Sequence, residues 1–171
     1  MRDAAEFDSF YSASAQRVLG QLYAMIGSRV EAEDAVAEAY ARAWDRWGTV
    51  RECDSPEAWV RRVAYRVAVS AWRKAVNRLS AHRRQVAEQP VEAVTVDHVA
   101  LVDALRRIPA EQRRVVVLHH LVGLSVAEIA TEAGTNVNTV KTRLARGRRA
   151  LAAHLADDEY QITGGGRGHE V

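Results

Sequence analysis

Between Leu124 and Arg149 the chain carries a pattern that a helix-turn-helix satisfies and few other arrangements do. Ser125 stands three residues before Glu128 at the head of an apolar run. That spacing predicts a capping box, the Ser125 hydroxyl accepting from the Glu128 amide while the Glu128 carboxylate accepts from the Ser125 amide. Ile129 and Ala130 are placed inward, and Ala130 is small enough to let a second helix cross closely. Gly134 falls where the first helix must stop, a position suited to left-handed backbone. Asn136 or Thr135 then caps a second helix from about Val137, with Val140, Leu144 and Leu151 on its buried side. Its exposed first turns hold Asn138, Thr139, Lys141, Thr142, Arg143 and Arg146. Short polar side chains approach base edges and long basic ones reach phosphates or guanine, so this edge suits entry into the DNA major groove. Gly147, within the second helix, costs about 1 kcal/mol relative to alanine, and close packing is the reason the sequence suggests for it.

The remaining chain is bounded by composition. Its 171 residues suit one medium domain or two small ones joined by a linker. Abundant Ala, Arg, Glu and Val with little Pro predict helices throughout, and no segment alternates with a convincing two-residue period. The single cysteine, Cys53, excludes an internal disulfide or a multi-thiolate metal site. No stretch approaches the ~20 apolar residues of a membrane span, and the Met1-Arg2-Asp3 start is unlike a secretory signal, so a cytoplasmic protein is expected. There is no phosphate-cradling glycine loop, nucleophile motif or metal constellation, which argues against an enzyme and against a cofactor. His119 and His120 have no cysteine or acidic partner at ligand spacing and are expected to be structural.

The fold expected is all-α, with two small helical domains. Helical spacing predicts helices over about Glu6–Ile26, Val30–Trp47 and Ser55–Leu79, then Asp97–Ile108 and Ala110–Leu121. Gly48 to Asp54 reads as a polar loop, and Ser55-Pro56 starts the third helix with a cap and a proline at its favoured first position. The domains expected are 1–79 and 97–156, with a flexible linker over 80–96 and a disordered tail over 157–171. Charge divides the N-terminal part: eight acids against three arginines from Asp3 to Asp45, then nine Lys and Arg against three acids from Arg51 to Arg84. The second helix shows a polar face of Asp34, Glu38, Arg42 and Asp45, which is either solvated or a docking surface for a basic partner. The third places Arg62, Arg66 and Arg73 on one face and carries Trp59, Tyr65 and Trp72. Trp59 is expected in the core, whereas Tyr65 and Trp72 lie on one stripe where they could stack on unpaired bases.

Three segments resemble a known family. Ala32-Glu33-Asp34-Ala35-Val36-Ala37-Glu38-Ala39-Tyr40-Ala41-Arg42-Ala43-Trp44 is similar to region 2.2 of sigma-70-type factors, and Ser55-Pro56-Glu57-Ala58-Trp59-Val60-Arg61-Arg62-Val63-Ala64 to the segment after it. Asn138-Thr139-Val140-Lys141-Thr142-Arg143-Leu144-Ala145-Arg146-Gly147-Arg148 looks like region 4. With these regions and a short linker, the chain resembles the extracytoplasmic-function group of alternative sigma factors. The resemblance implies an initiation factor that binds core RNA polymerase, reads minus-thirty-five and minus-ten promoter elements, and helps to open the strands. Asp34, Glu38 and Arg42 would then dock on the clamp helices of the largest subunit. Arg62, Tyr65, Arg66, Ser70 and Arg73 would serve the minus-ten element, and the loop Gly48 to Ser55 would hold a flipped base. Asn138, Thr139, Lys141, Thr142, Arg143 and Arg146 would read the minus-thirty-five element. Many members of the family are held by an anti-sigma protein, so the resemblance admits one as a partner. Ala37 replaces a common glutamine, Arg66 a frequent asparagine and Ser70 an aspartate, departures that bear on docking and on minus-ten preference. The competing expectation is a repressor or response regulator whose helix-turn-helix acts without polymerase.

Overall fold

A computed structural model describes residues 2–81 and 96–164, with side-chain surroundings for 3–78 and 101–156. Every element in these stretches is a helix: α1 (Arg2–Ile26), α2 (Arg29–Asp45), α3 (Trp47–Val50), α4 (Pro56–Ala81), α5 (Val96–Arg106), α6 (Ala110–His120), α7 (Val126–Ala133) and α8 (Val137–Gly164). Contacts divide the chain into two compact units, Met1–Ala93 and Val94–Val171. Of the expected linker, its first residues continue α4 to Ala81 and its last begins α5; the rest lies outside the described residues. The expected tail differs too, because α8 runs past Asp157 to Gly164, and only 165–171 lie outside the described residues.

In the first unit α1, α2 and α4 pack pairwise. Gly27, at φ 81°, turns the chain between α1 and α2, where the Ser28 hydroxyl accepts from the Glu31 amide and caps α2. Ala32, Ala35, Ala39 and Ala43 form the inner face of α2, and these small side chains let it pack against α1 and α4, whose own buried residues include Val18, Leu22, Val60 and Ala64. Ala71, although at core spacing from Val60, Ala64 and Val67, is exposed, because α4 is solvent-facing throughout from Ser70 to Arg78. Polar side chains also link the helices across the bundle. The Tyr40 hydroxyl lies 2.7 Å from Ser14 Oγ, with burial raising the phenol above its ordinary range. Arg17 of α1 donates from Nε to Glu57 of α4 at 2.9 Å and from a second nitrogen to the other carboxylate oxygen, holding that carboxyl below the usual range.

The second helix ends at Asp45 and not at Trp47, and Trp47 instead opens the short helix α3, which runs to Val50 into the segment expected to be a polar loop. Trp47 and Val50 are buried, and the Trp47 ring lies 5.2 Å from Phe7 and 5.1 Å from Phe10 between centroids. Burial of this large ring, with its edge-on and stacked contacts, stabilises a turn that local propensity would not hold. In the second unit Val102 and Leu105 of α5, Val115 to Leu118 of α6, Ile129 of α7, and Val140 and Leu144 of α8 make one core. Leu151 is only partly covered, not buried as expected, since it lies beyond the stretch of α8 that α6 and α7 enclose.

Candidate nucleic-acid interface

The turn between α7 and α8 is built from local chemistry. Ser125 and Glu128 form the reciprocal capping box, with Ser125 N donating to Glu128 Oε2 at 2.7 Å and Glu128 N donating to Ser125 Oγ at 3.2 Å. Hydrogen bonding from Ser125 to the carboxylate, its side chain first and then its amide, holds the Glu128 carboxyl below its ordinary range. Gly134 ends α7 at φ 64° and ψ 41°, left-handed geometry in which a Cβ is strained. Between the two caps open at the N-terminus of α8, the structure selects Asn136: its Oδ1 accepts from Thr139 N at 2.8 Å. Loss of one such cap costs about 1 kcal/mol. Ser125→Ala is therefore expected to lower the stability of the second unit by about that amount, measured by urea unfolding.

The short turn presents the start of α8 outward. Asn138, Lys141, Thr142 and Arg146 are exposed, Thr139 and Arg143 half-buried, and Val140 and Leu144 point into the core. Arg143 is tethered, Nη1 standing 2.9 Å from Glu111 Oε2 of α6. Sequence reasoning missed Val137, which is 40% exposed at the head of the helix, where an apolar group suits a thymine methyl. Gly147 is buried, and a Cβ there would lie 2.7 Å from Val116 Cγ2 and 3.3 Å from the Gln112 carbonyl oxygen, so close packing against α6 is its reason.

The histidine pair supports the same helix. His119 Nδ1 is 2.9 Å from the Leu124 carbonyl oxygen, and Arg148 Nε donates to His120 Nε2 at 2.9 Å. Partial burial first, then Arg148 and His119, keeps His120 below its ordinary value. A neutral ring is needed to accept from Arg148, so this contribution is complete above about pH 6.5 and is lost as the pH falls further. Thermal unfolding at pH 7.5 and 5.5 is expected to show a loss at the lower pH that His120→Gln reduces. Among the described residues no group of three His, Cys, Asp or Glu is placed to hold a metal, and no helix is long and apolar enough to cross a membrane.

In the first unit a groove between α2 and α4 is lined by Arg42, Asp45, Arg46, Trp59, Arg62, Val63 and Arg66. It joins Arg62 and Arg66, expected at the minus-ten element, to Arg42, expected at polymerase. Arg46, which sequence reasoning did not single out, adds a cation, the only signal having been its spacing from Arg42. Trp59 is half-buried on the groove wall and not enclosed in the core, because the side chains opposite it are arginines that keep the groove open. Asp34 and Glu38 lie on the exposed face of α2, and Glu38 pairs with Arg42 at 2.8 Å. Ser70 and Arg73 are exposed farther along α4 with Trp72, while Tyr65 is half-buried. The N-terminal set is therefore spread along α4 and not gathered at one point. Cys53 is half-buried, its thiol donating to the Thr49 carbonyl oxygen at 3.6 Å.

Comparison with known proteins bears on both units. Residues 10–78 match the Sigma-70 region 2 family and residues 98–151 the Sigma-70, region 4 family. The RNA polymerase sigma-E factor of Streptomyces coelicolor is 29% identical over 158 residues, covering 91% of this chain and 89% of that protein. The ECF RNA polymerase sigma factor BldN of the same organism is 31% identical over 165 residues, covering 91% of this chain but 62% of BldN. The fold is like that of the sigma factor RpoE, solved in complex with the anti-sigma factor NepR from Bartonella quintana, with a TM-score of 0.75 at 21% identity over 88% of this chain and 97% of that one. Two sigma-70 regions matched in chain order show that the chain belongs to the sigma-70 family of RNA polymerase sigma factors, and relatives named ECF RNA polymerase sigma factors match it along 91% of its length.

Proposed function

We propose that the chain divides initiation between its units, with the first holding core polymerase and opening the minus-ten region and the second reading the minus-thirty-five element. The observation that carries this reading is the capped α7–α8 turn, which leaves Lys141, Thr142 and Arg146 exposed on the leading edge of α8. The basic groove of Arg42, Arg46, Arg62 and Arg66 supports a path for a displaced strand, since closely spaced cations follow a phosphate backbone. Asn138, Thr139 and Arg143 complete the upstream set, and Tyr65, Ser70 and Arg73 extend the downstream one. Asp34, Glu38 and Arg42 form the polymerase-facing set on α2. In this role the chain catalyses no reaction of its own and works in the cytoplasm beside polymerase. An anti-sigma protein fits the same reading, since RpoE was solved with NepR and CnrH with the cytosolic domain of CnrY.

The test is transcription by purified core polymerase from a promoter library, with and without the chain. Transcripts that require the chain and start a fixed distance from shared upstream and downstream elements are expected. Duplex binding without any dependent transcript would return the chain to the repressor class, a reading that the region 2 match over residues 10–78 does not favour.

A further inference from the structure

We infer that Glu111 of α6, a residue outside the recognition helix, is a positioning residue for reading the upstream element, because it fixes the direction in which Arg143 points. The inference rests on the assignment of Arg143 to that element made above. Arg143 Nη1 and Glu111 Oε2 are 2.9 Å apart, an ion pair between two helices and not within one turn of α8. The pair is held by the packing beneath it. Arg143 and Gly147 lie one turn apart on the face of α8 that meets α6, and the absence of a Cβ at Gly147 lets Val116 and Gln112 approach closely. Gln112 is the neighbour of Glu111, so the helix separation set at Gly147 also brings the carboxylate within reach of Arg143.

Two consequences follow for DNA. A guanidinium carries five N–H donors in a fixed fork, so an ion-pair contact of one nitrogen with Glu111 leaves the rest of the fork for a base edge or phosphate while restricting where it can point. A free arginine loses its rotamer freedom on binding, whereas one held by a carboxylate has lost part of it in advance. Glu111 is also an anion, 57% exposed, beside a surface that receives phosphates. Paired with Arg143 it lowers the attraction for any duplex regardless of sequence, which is the term that counterion release dominates. Both effects act in one direction: Glu111 raises the preference for the cognate element over other DNA.

The experiment uses holoenzyme assembled from core polymerase and the full chain, with a pool of duplexes randomised over the upstream element and read by sequencing. Glu111→Gln is expected to reduce enrichment about tenfold at the base pairs where Arg143→Ala also reduces it, and to raise binding to scrambled duplex. Glu111→Asp, which keeps the charge on a shorter arm, should retain part of the preference. Thermal unfolding of each variant is followed alongside, since a merely structural role would shift stability without flattening base preference. Full preference in Glu111→Gln, with preference lost in Arg143→Ala, overturns the inference and leaves the assignment of Arg143 standing. Full preference in both variants overturns both.

Discussion

Gly147→Leu is expected to destabilise the second unit by about 3 kcal/mol, although leucine is much the better helix former. The reason lies in what surrounds the missing side chain. A Cβ at Gly147 would meet Val116 Cγ2 at 2.7 Å, and Val116 is itself 4% exposed in the core. Valine is stiff at χ1, so its methyl cannot rotate away without meeting other core atoms. The Gln112 carbonyl oxygen at 3.3 Å belongs to the backbone of α6 and moves only if that helix moves. Alanine isolates the first atom of the effect: relief of the glycine penalty returns about 1 kcal/mol, against an overpacking cost of about 1–3 kcal/mol. The expected order of stability is therefore glycine, alanine, leucine, whereas helix propensity alone would place glycine last. Urea unfolding followed by circular dichroism checks it. An alanine variant more stable than the parent by the full propensity gain would show that α6 and α8 are not in close contact.

This glycine marks the border of what the sequence makes legible. The α7–α8 turn was readable because its determinants are local: Ser125 and Glu128 are three residues apart, Gly134 ends one helix, and Asn136 begins the next. Long-range determinants were not. The α3 turn depends on Trp47 meeting Phe7 and Phe10 from the start of α1, which no window around Gly48 contains. Arg61 and Arg62 look alike in sequence, yet Arg61 is 3% exposed and donates to Gln21 of α1, while its neighbour lines the groove. In the upstream set the exposed first turns of α8 followed from helical period, but the tether on Arg143 came from α6 and left no trace in local spacing. The continuation of α8 to Gly164 was obscured by the Asp157-Asp158 pair and the glycines beyond, which read as a helix end although the chain stays helical there.

A crossed pair of double variants is expected to separate the two halves of the proposed division of labour. Arg143→Ala with Arg146→Ala removes two candidate contacts to the upstream element, each worth about 1–3 kcal/mol of discrimination. Arg146 is exposed and its loss disturbs no core; Arg143 gives up its pair with Glu111, a half-exposed contact whose share in folding is about 1 kcal/mol or less. Binding of holoenzyme to upstream-element duplex should therefore fall steeply while affinity for core polymerase stays at the parent value. Asp34→Ala with Glu38→Ala acts on the other side. Both acids lie on the exposed face of α2, and the Glu38–Arg42 pair is an i,i+4 contact in solvent, so the bundle beneath loses little. If that face meets a basic surface of polymerase, truncating a buried charge partner costs about 2–5 kcal/mol and shows chiefly as faster dissociation. Competition binding to core polymerase, at two salt concentrations, reads the effect directly, and steered association should weaken with salt in the parent more than in the variant. Unchanged polymerase affinity in the acidic pair would remove Asp34 and Glu38 from the docking surface and leave the basic edge of α8 as the assigned half.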